Sequence, residues 1–147
     1  QVGYFVTDGL ELIGTLQVLT FTEKVDDADP TTFTVIGLGA GAGYFVNLGV
    51  ARVGPQAIVR FANGTAKIQD PTIGEIDFTD QRVGAQVGVF AKVPVGGGGV
   101  IAAGLALDYD NVAQSFEADV PGFGALKLEP EGTSQTIGVR FGYFVYF

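Results

Sequence analysis

The sequence contains no cysteine, no histidine and no tryptophan. Without cysteine or histidine there is no Cys-His or Ser-His nucleophile, no imidazole base and no zinc site of the usual ligand type, so the chain is not expected to be an enzyme. The absence of cysteine permits an oxidising compartment without establishing one. Cationic residues are also few: eight lysines and arginines against sixteen aspartates and glutamates, a net charge of −8. No basic patch can be assembled from them, and no nucleic-acid partner is expected. No run reaches the roughly 20 apolar residues of a spanning helix. Nor does the opening QVGYFV have the basic start and apolar segment of a signal peptide, which leads us to expect a processed or trimmed chain, or one never secreted.

What is abundant is glycine, 23 of 147 residues, more than twice its usual share. Hydrophobic residues make up 47% and charged residues only 16%. The length suits one domain, residues 1–147. High apolar content without a long apolar run leaves two arrangements: a buried core, or membrane-spanning strands that hide their signal in alternation, about ten residues at a time.

The clearest alternation is in residues 133–147, TSQTIGVRFGYFVYF. Ile137, Val139, Phe141, Tyr143, Val145 and Phe147 share one parity, while Ser134, Thr136, Gly138, Arg140 and Gly142 share the other. Successive strand side chains point to opposite faces, so this is a strand with one apolar face. The same reading gives a strand end at 1–6 and strands at 10–21, 31–46, 51–61, 81–93 and 100–110. Pro55 is a blemish tolerated only at an edge or bulge. Connections alternate between short (7–9, 47–49, 94–99) and long (22–30, 63–80, 111–132), with most acidic residues in the long ones. That is an all-β, antiparallel, up-and-down meander.

The strand charges Glu11, Arg52, Arg60, Arg82, Lys92, Asp108, Asp110 and Arg140 share one face with glycine and glutamine. A solvated face would mix Lys and Glu and avoid glycine, so this face reads as a packed polar lumen closed by charge pairing. The motif GYFV recurs at 3–6, 43–46 and 142–145, with a degenerate copy at 88–91. Every copy ends a strand in the same parity. Tyr4, Tyr44 and Tyr143 therefore stand at one level of one rim, as an aromatic girdle would. Phe5, Phe45, Phe90 and Phe144 form an apolar floor on the other face.

The terminal strand and the hairpin GYFVTDGLELIG resemble the OmpA/OmpW-like group of small bacterial outer-membrane barrels. The resemblance implies a transmembrane β-barrel in the bacterial outer membrane, in contact with the lipid bilayer. It also implies that Phe141, Tyr143, Val145 and Phe147 serve as the signal read by the outer-membrane assembly machinery. Such barrels have an even number of strands, whereas seven are readable here and the first is a stub. The expectation is an eight-stranded barrel whose first ascending strand, and the start of the second, lie upstream. The girdle departs from the group in lacking tryptophan.

Three functions are compatible with these features. The first is a structural or surface-interaction barrel with a plugged lumen, its long loops meeting other surface or membrane proteins. The second is a small porin-like channel for ions or small solutes, and the third a soluble lipocalin-like carrier. No cofactor or metal is expected. Gly96, Gly97, Gly98 and Gly99 lack the Lys-Ser/Thr and helix of a phosphate loop. Asp26, Asp27 and Asp29 lack the spacing and glycine of an EF-hand loop. Asp108 and Asp110, facing arginines, read as structural rather than as a catalytic pair.

Overall fold

The computed structural model describes residues 1–23, 31–70, 74–120 and 122–146. It is all-β, with no helix among the described residues. In chain order the strands are β1 (Val2–Phe5), β2 (Leu10–Glu23), β3 (Thr31–Tyr44), β4 (Val46–Asn47), β5 (Arg52–Asp70), β6 (Gly74–Gly96), β7 (Gly99–Val120), β8 (Gly124–Leu128) and β9 (Glu131–Tyr146). They form one sheet in the order β3-β2-β1-β9-β7-β6-β5-β4, with β8 also on β7 and β3 also on β5. Every ladder is antiparallel except that of β1 with β9, which is parallel and covers only Val2↔Val145 and Gly3↔Tyr146. β1 pairs with β2 no further than Gly14, and β2 and β9 share no ladder, so a seam separates them.

Chemistry explains the tight turns. Gly97 and Gly98 carry φ of 58° and 76°, the left-handed pair that a two-residue hairpin turn needs. After β4, the Gly49 amide donates to Asn47 Oδ1 at 2.9 Å, an Asx turn. Pro55 lies where β5 changes partner: its ladder with β3 ends at Gln56↔Gly43, and that with β4 resumes at Val53↔Val46. The missing N–H thus falls in an interruption of the ladder.

The strands are longer than the sequence predicts. Residues 63–80, expected as a loop, continue β5 to Asp70 and begin β6 at Gly74. Residues 111–132, also expected as a loop, hold the end of β7 and all of β8. Lys67 and Lys127, assigned to connections, are strand residues.

Side chains of one parity meet across the sheet: Glu11 of β2 reaches Lys92 of β6, and Phe5 of β1 meets Phe45 beside β4. That parity is the inner face, and the opposite parity is the outer one. On the outer face, residues 10–18, 36–44, 53–61 and 101–109 (nine each) and 83–93 (eleven) place apolar residues, with occasional Gly or Pro, at every second position, and so do 137, 139, 141 and 143 on β9. Beyond them the outer residues turn polar: Thr20 and Thr22, Thr32 and Thr34, Asn63 and Thr65, Gln81 and Thr79, Asn111, Thr133 and Gln135. On β2/β3 and β5/β6 the change falls at directly paired positions, while Ile36↔Asn63, Val83↔Asn111 and Tyr109↔Gln135 straddle it. Val18↔Ile36 lies below it and Thr20↔Thr34 above; Phe61↔Val83 lies below and Asn63↔Gln81 above; Leu107↔Ile137 lies below and Asn111↔Thr133 above. Above this belt the inner face turns apolar. Phe21, Phe33, Ala66, Phe78 and Phe116 form one lateral row, each in register with the next.

Candidate functional site

The polar lower part of the inner face is the candidate site. Two charge clusters lie there. In the first, Arg60 grips Asp110 with two donors, Nε to Oδ1 at 3.0 Å and a terminal nitrogen to Oδ2 at 2.6 Å. Its other terminal nitrogen lies 2.7 Å from Asp108. Arg140 donates to Asp108 Oδ2, and Gln86 donates to Oδ1 of the same carboxylate at 2.9 Å. Asp108 is 2% exposed, so its charge is tolerated only because two arginines and an amide meet it.

The second cluster is Lys92 and Glu11, 2.6 Å apart and 2% and 0% exposed. Aromatic rings enclose the ammonium, with Phe45 at 4.3 Å and Phe144 at 5.9 Å from Nζ. Phe45, Phe90 and Ala106 form the buried apolar cluster, with Phe5 packed against it. The floor expected from Phe5, Phe45, Phe90 and Phe144 therefore surrounds a cation. Glycine makes the space: a Cβ at Gly104 would stand 2.7 Å from Phe90 Cγ, and one at Gly84 would strike the Asp110 carboxylate.

Of the eight expected lumen charges, Arg60, Asp108, Asp110 and Arg140 come together in one cluster, and Glu11 and Lys92 in the other. Arg82 pairs instead with Asp80 at 2.6 Å. Asp80 went unrecognised because residues 63–80 read as a loop. Arg52 meets no carboxylate among the described residues; its guanidinium lies 4.1 Å from the Phe5 ring centroid. Tyr4, Tyr44 and Tyr143 are all exposed on the outer face at the short-turn end. Phe141 and Tyr143 project from the same face of β9 and are exposed. Phe147, Asp26, Asp27 and Asp29 lie outside the described residues.

The upper row of rings was also missed. Phe21 stacks on Phe33 at 5.0 Å, Phe33 meets Phe78 edge-on at 6.0 Å, and Phe78 meets Phe116 at 4.8 Å. Phe21, Phe33 and Phe78, with Leu19, Val35 and Ala62, wall a cavity of about 510 Å3 floored by Arg60, Arg82, Asp80 and Asp110. The sequence signal was available: Phe21, Phe33, Phe78 and Phe116 all keep the inner parity of their strands.

Outside the apolar band, ion pairs line the outer face. Lys67 holds Glu75 at 2.5 Å, and Lys127 bridges Glu129 at 2.7 Å and Glu117 at 3.2 Å. The hydrogen bond to Glu75, and then Asp77, keep the Lys67 ammonium above its ordinary pKa. Among the described residues no group of three or more acidic side chains is placed to hold a metal ion. No protein-family model, curated protein or solved structure matches the chain.

Proposed function

We propose that this chain is an integral β-barrel of the bacterial outer membrane, with a lumen plugged by ion pairs and a structural or surface-interaction role. The observation that carries the reading is the outer apolar band, with polar outer residues above it on each long strand. Runs of nine to eleven residues are the length a tilted strand needs to cross a bilayer. Ile137 is 73% exposed and Leu16 66%, while Glu11 and Asp108 are buried. A water-soluble fold would reverse that placement; a bilayer around the outer face accounts for it. Tyr4, Tyr44 and Tyr143 then stand at the lower interface, with Tyr109 and Phe61 at the upper one.

The lipocalin-like carrier requires an apolar interior at the level of the band, and the charges there disfavour it. The seam bears on strand number. β2 ascends and β9 descends, so any strands added between them with antiparallel neighbours come as an even number. Added to the six long strands β2, β3, β5, β6, β7 and β9, such a pair makes the eight-stranded barrel of the OmpA/OmpW-like group. In this reading β9, with Phe141, Tyr143 and Val145, is presented to the assembly machinery together with the Phe147 that follows it in sequence.

Detergent partition tests the proposal. The purified chain is expected to enter the detergent phase, with β-rich circular dichroism in micelles or vesicles. A stable, monodisperse monomer in plain buffer overturns it.

A further inference from the structure

A second pocket opens at the short-turn end of the inner face, below the Lys92–Glu11 pair. Its volume is about 280 Å3, and its lining includes Phe5, Arg52, Lys92, Pro94, Gly98 and Val100. Arg60, Arg82 and Arg140 each meet an aspartate, whereas among the described residues Arg52 meets a ring and no carboxylate. Glu11 already holds the Lys92 charge at 2.6 Å. Among the described residues the mouth therefore carries the Arg52 charge without a facing carboxylate, in a chain whose net charge is −8. Gly98 adds polar backbone: it occupies the left-handed region, φ 76°, and among the described residues its amide enters no backbone hydrogen bond outside the ladders. The remaining wall is largely carbon, from the ring of Phe5 and the side chains of Pro94 and Val100.

We propose that this pocket binds a small carboxylate on an apolar stem. Arg52 is the anchoring cation, and Phe5, Pro94 and Val100 are the sleeve for the stem. A guanidinium fork matches a carboxylate in two-point geometry. The face of Phe5 that now takes up the guanidinium holds it in place with its N–H groups available at the rim. The volume lies just below the range of drug-sized sites, which limits the guest to a short acid. None of this depends on what surrounds the outer face, so failure of the membrane reading and failure of this one are separable.

Fluorine NMR of para-trifluoromethylbenzoate, titrated against the protein in zwitterionic micelles, is the test. Saturable broadening is expected with the unmodified protein, while para-trifluoromethylbenzyl alcohol shows none. Arg52→Gln is expected to weaken binding at least about ten-fold, as loss of a charge-assisted hydrogen bond should. Val100→Phe, which keeps the cation and fills the sleeve, is expected to do the same, and it remains decisive if Arg52→Gln fails to fold. Equal binding of acid and alcohol, or undiminished binding by both variants, overturns the proposal. Displacement of the probe by an equal concentration of inorganic phosphate overturns the assignment of an apolar stem.

Discussion

Gly84 has the carbonyl of Tyr109 and the carboxylate of Asp110 pressed against the place a methyl group would occupy, whereas a Cβ at Gly138 meets nothing within 4 Å. Both face inward, so composition alone does not separate them. Gly84→Ala is expected to cost about 1–3 kcal/mol, as overpacking does, and Gly138→Ala close to nothing, with denaturant unfolding in micelles as the measurement. The Glu11–Lys92 pair has a different signature. Glu11→Ala strands a buried ammonium among rings and is expected to cost about 3–5 kcal/mol, while Glu11→Leu with Lys92→Met is expected to recover most of that. A double-mutant cycle that proves additive would remove the coupling. At this scale the sequence was informative about which charges share a face. It was silent about partners, because Arg60 meeting Asp110 and Arg82 meeting Asp80 depends on strand stagger.

The strands show where periodicity reading works and where it stops. Ile101, Ala103, Leu105, Leu107 and Tyr109 alternate with glycine, alanine and aspartate, and that contrast made β7 legible up to residue 110. Past the polar belt the contrast reverses rather than ends: Phe116 and Ala118 face inward, while Glu117 and Asp119 face outward. A reading that looks for one apolar parity meets polar residues there and ends the strand too early. The same reversal hid Asp80 and the Phe21–Phe33–Phe78–Phe116 row. The belt also sets up a comparison within β6, where Val87 and Gln81 share the outer parity on opposite sides of the boundary. Val87→Arg is expected to cost roughly 2–4 kcal/mol in lipid vesicles, and Gln81→Arg roughly 0–1. Similar costs at both positions would move the boundary.

For the molecule as a whole, the interior decides between a plug and a pore. Asp108 is shared by Arg60, Arg140 and Gln86, and the ringed Lys92 lies below it, so charged and aromatic groups are stacked along the same axis. An eight-stranded barrel is barely wide enough for its own side chains. Planar-bilayer recordings of the unmodified protein are expected to lack steady large conductance. Asp108→Ala, which takes from Arg140 its carboxylate and from Arg60 one of two, is expected to raise the frequency of openings. Large, steady currents in the unmodified protein would instead support the porin-like alternative. The regularity of the outer band reaches beyond the protein to its solvent. Nine residues rising about 3.4 Å each, along strands tilted about 40°, give an apolar height of roughly 23 Å, close to the roughly 25 Å band of outer-membrane barrels and below the roughly 30 Å hydrocarbon core of a typical bilayer. On the proposed membrane reading, acyl-chain length becomes a folding variable: insertion should be fastest in vesicles of short-chain lipids and slow progressively as the chains lengthen, each added carbon imposing more mismatch at the Tyr4–Tyr44–Tyr143 rim.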